Sequence, residues 1–367
     1  MQKINIKRFN RFSLTAMAVC LLLLPALLKA QPRPVHRKKV GVVLSGGGAK
    51  GMAHIGALKV IEKAGIPIDY VVGTSMGSII GGLYSIGYSP EQLDSMVRRQ
   101  DWTFLLSDKI PRSEQNLSER DASQKYVFSI PFGKGVKAEV FGGLIKGQNL
   151  ANLFSELTIG YHDSINFDKL PIPFACVSEN IVNGNEVNFH GGVLATAMRA
   201  SMAIPGVFTP VRLDSMVLVD GGVVNNYPVN VARAMGADLI IGVDVQSELK
   251  PAGELNSAGA ILGQLVNLMG QDLYKKNLKE TTAYIKVNVE GYSAASFTPS
   301  AIDTLIMRGE EAAMAQDSAL MALKSQLGLD STYMPQPIPS YPYSPERKVY
   351  VKEITFDGLD EKDKKWL

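Results

Sequence analysis

The chain is short of the groups that close disulfides, hold metals and bind nucleic acids. Its 367 residues contain two cysteines, Cys20 and Cys176. Cys20 lies in an apolar N-terminal run with Val19 before it, where a lipoprotein signal needs a small residue, so no lipid anchor is expected there. Once that run is removed a single thiol remains, which excludes an intramolecular disulfide even in an oxidising compartment. The four histidines, His36, His54, His162 and His190, show no H-x-x-x-H spacing, and the cysteines form no C-x-x-C, so no zinc site is expected. Net charge is also small: five of the 38 basic residues fall within residues 1–30, leaving 33 against 35 acidic ones and a formal charge of −2. That balance argues against a nucleic-acid surface. Long apolar runs are missing too, since residues 14–28 are too few for a spanning helix of about 20 residues.

Residues 1–30 place Lys3, Lys7, Arg8 and Arg11 before that apolar run and end it in Leu28-Lys29-Ala30. This order reads as a secretory signal peptide, so the mature chain is expected to start near Gln31 and to be periplasmic, outer-membrane-associated or secreted. Residues 31–38 form a short linker. With 46% hydrophobic and 20% charged residues, the chain as a whole has the composition of a folded globular protein.

The most informative stretch is VVGTSMG, residues 71–77. An apolar run ends in Gly73-Thr74-Ser75-Met76-Gly77 and a helical pattern follows, which is the form of a nucleophile elbow. Gly73 and Gly77 give the backbone room, and Ser75 Oγ stands at a helix N-terminus. Taken alone, the pentapeptide also suits an ordinary glycine-rich turn.

A second glycine loop follows the apolar strand at residues 39–44, KVGVVL, and precedes a helical spacing over residues 52–64. In Ser45-Gly46-Gly47-Gly48-Ala49-Lys50-Gly51 successive N–H groups can point into one concavity, a nest for an anion or oxyanion. A phosphate loop is excluded because Lys50 precedes Gly51 and Met52 follows, where Gly-Lys-Ser/Thr is required. A dinucleotide fingerprint fits Gly46, Gly48 and Gly51, but Asp69 opens the second strand, whereas a ribose-binding acid belongs at its carboxyl end. An oxyanion hole uses both loops, because the carboxyl ends of adjacent parallel strands converge. His54 reads as a packed or capping histidine.

The third segment is Asp220-Gly221-Gly222, at the end of a strand over residues 216–219. Its acid looks placed, although D-G is also a common turn dipeptide. Further strands are expected at 172–178, 186–189, 238–245 and 284–289. Helices are expected at 76–86, from Glu91 behind the Ser89-Pro90 cap, and at 148–157, 195–203, 228–235, 262–278 and 301–327. Residues 101–143 read as a polar excursion or lid. Residues 331–347 read as a proline-rich linker and residues 348–367 as an alternating strand that starts another unit.

With its three glycine motifs in this order, and with ATAMRASMAIPGVFTP between the last two, the chain resembles the patatin-like phospholipases over residues 39–330. The resemblance implies an α/β fold, a three-layer sandwich with a mostly parallel central sheet and helices on both faces. It implies a lipid acyl hydrolase with Ser75 as nucleophile, Asp220 as its dyad partner, and Gly46, Gly47 and Gly48 as the oxyanion hole. Lys50, Gly51, Gly73, Gly77, Gly221 and Gly222 would support them. The family loop often has Arg where this chain has Lys50, which keeps the charge and loses the bidentate fork. The implied partners are a lipid or phospholipid substrate and a membrane surface, with no cofactor, no metal and no nucleic acid; the oligomeric state is open. VYVKEITFDGL resembles the first strand of a POTRA module, as in bacterial patatin autotransporters. Two rivals remain. A Ser-His-Asp esterase would want a histidine after the acid, and none follows Asp220. A non-catalytic nucleotide- or lipid-binding domain would use the glycine loop alone.

Overall fold

The computed structural model describes residues 37–110, 143–256 and 258–338. The expected signal peptide (1–30), most of the polar excursion (111–142) and the POTRA-like strand (348–367) lie outside the described residues. The chain divides into two units, Met1–Lys38 and Lys39–Leu367, and the fold is that of the second.

Its centre is an eight-stranded sheet. The strands are β1 (Val40–Leu44), β2 (Tyr70–Thr74), β3 (Phe174–Asn180), β4 (Asn185–Phe189), β5 (Val211–Leu213), β6 (Met216–Asp220), β7 (Leu239–Asp244) and β8 (Ala283–Lys286). The order is β8-β7-β1-β2-β3-β6-β5, with β4 also on β3. The five strands β8, β7, β1, β2 and β3 run parallel, while β4, β5 and β6 join antiparallel.

The apolar runs bury both faces because alternate residues point opposite ways. Val43, Val72, Ala175 and Ile240 pack on one face with α6 (Val229–Ala234). Val42, Leu44, Val71, Phe174, Cys176 and Ile241 belong to the larger core on the other. That larger core also includes residues of α1 (Ala53–Lys63), α2 (Met76–Ser85), α3 (Pro90–Arg99), α4 (Gln148–Leu157), α5 (Leu194–Ser201), α9 (Pro299–Met314) and α10 (Asp317–Gln326). Two further helices, α7 (Ala258–Met269) and α8 (Gln271–Lys279), follow β7.

Several expected elements are cut differently. The helix expected over 262–278 is two helices, because Gly270 interrupts it between α7 and α8. That expected over 301–327 breaks between α9 and α10 at Ala315 and Gln316. Proline starts α3 and α9, each behind a hydroxyl cap; Ser89 and Gln92 form a full capping box.

One detail of the sheet sets up the site. Residues 176–180 of β3 pair with β4 along one edge. Along the other edge, β2 pairs up to Thr74 opposite Val177, and β6 arrives antiparallel and stops at Asp220 opposite Ser178. Two strand ends therefore meet head to head on neighbouring positions of β3, and the next residue of β2's chain is Ser75.

Candidate active site

The apolar run of β2 must turn into α2 within one residue, and Ser75 takes the turn with φ 54° and ψ −123°. A non-glycine residue in that region is strained, so its surroundings must hold it. Ser75 N–H donates to Ser201 Oγ at 3.0 Å, and Ser201 Oγ–H donates to Val177 O at 2.6 Å. Ser75 O accepts from Ser78 N at 2.9 Å and from Ser78 Oγ at 2.6 Å. Gly73 and Gly77 make the turn possible: a Cβ on Gly73 would lie 2.3 Å from Gly77 O, and one on Gly77 would lie 2.2 Å from Leu44 O.

The head-to-head strand ends bring Ser75 and Asp220 together across 145 residues of sequence, with Ser75 Oγ donating to Asp220 Oδ2 at 2.6 Å. The other carboxylate oxygen, Oδ1, accepts from Gly222 N at 2.7 Å, which aims Oδ2 at the serine. Gly221 starts the turn that carries Gly222 back to the carboxylate. Burial pushes the Asp220 carboxyl up to about 6, against the smaller downward pull of its bonds to Ser75 and Gly222. Such a carboxylate is a better base than a solvated one and is still ionised at neutral pH.

The glycine loop lies beside this pair: a Cβ on Gly46 would come within 3.1 Å of Ser75 Cβ. Its three glycines differ in what they offer. Gly46 N–H is already engaged with Asn226 O at 3.2 Å. Gly47 and Gly48 are half-buried, and among the described residues their N–H groups have no partner. Gly48 adopts φ 56°.

Lys50 turns away from the pair. Its Nζ donates to Ser247 Oγ at 2.8 Å, and burial, with Lys286 and Lys250 nearby, lowers its pKa to about 8 in spite of Asp244. Gly51 lies against Met76. His54 is fully buried, its Nε2 2.8 Å from Ser45 O, and burial lowers its pKa to about 4. His162 and His190 are exposed and lie near Asp163 and Asp168. Among the described residues, no histidine bonds to Ser75 or Asp220. Asp69 accepts from Val40 N and Lys39 Nζ, a tie at the amino end of the sheet.

A cavity of about 260 Å³ reaches Ser75 and Gly48. Met76, Ile79, Leu83, Trp102, Leu150, Phe154, Ile204 and Phe297 are among its lining residues, and the lining is almost wholly apolar. It exceeds the ~150 Å³ apolar cavity that stays dry and takes up benzene. The apolar pocket thus ends at the hydroxyl that is bonded to Asp220.

Ser201 and Asn226 carry much of this geometry and were not legible as site residues. The one hint was a hydroxyl inside the otherwise small and apolar stretch around residues 195–203.

The fold and pair define an α/β protein with a serine–carboxylate couple at the carboxyl end of a parallel sheet. Residues 42–233 match the family described as patatin-like phospholipase, and the chain belongs to that family. It is 30% identical over 221 residues to the lysophospholipase NTE1 of Candida albicans, an alignment that covers 59% of this chain and 14% of that protein. An uncharacterized NTE family protein of Mycobacterium tuberculosis is 28% identical over 230 residues, covering 62% of this chain and 55% of its own length. Among solved structures, human GIVD cytosolic phospholipase A2 aligns at TM-score 0.43 and 14% identity, covering 89% of this chain and 65% of that one.

Proposed function

We propose that the chain is a serine lipid acyl hydrolase of phospholipase A type, working through a Ser75–Asp220 dyad. The observation that carries this reading is the 2.6 Å bond from Ser75 Oγ to a buried carboxylate whose pKa is raised to about 6. Asp220 Oδ2 takes the proton as Ser75 Oγ attacks the ester carbonyl, and the Gly222 bond keeps the carboxylate aimed. The developing oxyanion is bound by the unpartnered N–H groups of Gly47 and Gly48, without Gly46, whose donor is engaged. The alcohol leaves with the proton from Asp220, and water, deprotonated by the same carboxylate, releases the fatty acid from the acyl-serine. The apolar cavity takes the acyl chain. Patatin-family membership and the lysophospholipase relative support a lipid ester over other acyl donors.

The test is a panel of phospholipids, lysophospholipids and neutral acylglycerols offered to purified wild type and to Ser75→Ala. Fatty-acid release by the wild type alone supports the reading; equal release by both would contradict it.

Export, and a place as the passenger of a patatin–POTRA–barrel assembly, rest on the order of segments in the sequence. A mature N-terminus at or near Gln31 supports export, and an intact Met1 on cytosolic protein removes it.

A further inference from the structure

An amphipathic helix of a globular protein turns its apolar stripe to the core. Four apolar residues of α7 do the opposite. Ile261, Leu265, Leu268 and Met269 fall within an arc of about 100° of the helix, and they are 47, 52, 48 and 66% exposed. Leu249, just before the helix, is 45% exposed. The sequence of α7, AGAILGQLVNLM, contains no charged residue. Its rotation is fixed by Gln264, which accepts from Lys250 N at 3.0 Å and donates to Lys250 O at 3.2 Å.

The position of the helix gives this face a meaning. α7 packs on the turn Gly221–Val223, which directly follows Asp220. We infer that α7 is an interfacial helix that seats the protein on a neutral lipid surface beside its catalytic turn, an inference that rests on the proposed lipid hydrolase activity.

Three features favour that occupant. At 12 residues α7 is too short to cross a bilayer, and no helix among the described residues is long and apolar enough to do so, so the helix would lie in the interface. Five half-exposed side chains fall well short of the roughly 20–30 residues a side in a standard protein interface, which disfavours a second copy. The flanking charges cancel: Glu248, Glu254, Asp272 and Glu280 stand against Lys250, Lys275, Lys276 and Lys279. Attraction to anionic lipid is therefore not built in, and insertion of apolar side chains must supply the affinity.

The experiment is sedimentation of the purified full chain with phosphatidylcholine vesicles, for wild type, Leu265→Ser, the double variant Leu265→Ser with Leu268→Ser, and Ser75→Ala. Turnover of a monomeric, water-soluble short-chain ester and the oligomeric state are measured alongside. Partitioning should weaken roughly tenfold for each leucine removed. It should change little as salt rises from about 0.1 to about 0.5 M, because no charge attraction is there to be screened. Soluble-ester kcat/KM should stay within about twofold, because neither leucine lines the cavity. Ser75→Ala should bind like wild type. Unchanged partitioning of the folded leucine variants would overturn the inference. So would a requirement for anionic lipid, or a wild-type dimer that the substitutions dissolve with vesicle binding intact. Docking that persists while Ser75→Ala still releases fatty acid would sink the dyad and leave the docking helix standing.

Discussion

Replacing Asp220 with asparagine should stabilise the fold while disabling it. Burial raises the Asp220 pKa from 3.8 to about 6, so between those values the folded chain holds a proton that the unfolded chain has released. Stability therefore falls as pH rises through that window, and above pH 6 the ionised carboxylate is held at a penalty. The gap of roughly two units corresponds to about 3 kcal/mol at most. Asparagine avoids the penalty and keeps an oxygen for Gly222 N–H. At pH 8 Asp220→Asn should thus be more stable than wild type by about 1–3 kcal/mol, a gain that shrinks as pH approaches 4. Its kcat/KM should drop by a factor on the order of 10² to 10⁴, the scale of general-base catalysis. Wild-type kcat/KM should rise with pH and level off above about 6, following ionisation of Asp220. Thermal melts at pH 4, 6 and 8 with ester turnover at each pH make the assay. A variant that is less stable at pH 8 than wild type, or that keeps wild-type turnover, would refute the reasoning.

Gly48→Val should abolish turnover with Ser75 intact, because Gly48 sits at φ 56° and a Cβ there would lie 2.4 Å from Ala294 O; retained hydrolysis in a folded variant would move the oxyanion donors elsewhere. Ser201→Ala removes the acceptor of Ser75 N–H, and should cost about 1–3 kcal/mol in a denaturant melt while lowering kcat more than KM. His162→Ala and His190→Ala should retain most turnover in the same ester assay, and a variant as inactive as Ser75→Ala would reinstate a triad. His54→Ala should register first as lost stability, since its ring supports Ser45 O from a fully buried position.

The parallel core was legible because β1, β2 and β7 are continuous apolar runs, each closed by a change of composition. The placement of Ser75 and Asp220 at strand ends was legible because glycines flank them. The head-to-head meeting of β2 and β6 on one edge of β3 was not, since it depends on β3 pairing with one segment about 100 residues before it and another about 40 residues after it. For the same reason the glycine loop read as three equivalent donors: the engagement of Gly46 by Asn226 joins positions 180 apart. Lys50 looked like part of the nest by adjacency, yet its side chain follows β7 to Ser247. The hairpin of β5 and β6 escaped notice because Val211–Leu213 is only three residues long. α7 and α8 merged into one expected helix because the apolar period carries across Gly270.

The central claim is that Ser75 is a nucleophile made reactive by Asp220. A fluorophosphonate reacts with such a hydroxyl and stays attached, so its position can be read by peptide mass spectrometry. The account predicts a single adduct on the peptide that contains Ser75, formed with wild-type protein, suppressed in Asp220→Asn and absent from Ser75→Ala, with turnover lost in step with labelling. An adduct on another serine, or an unlabelled Ser75 in protein that still releases fatty acid, would contradict it.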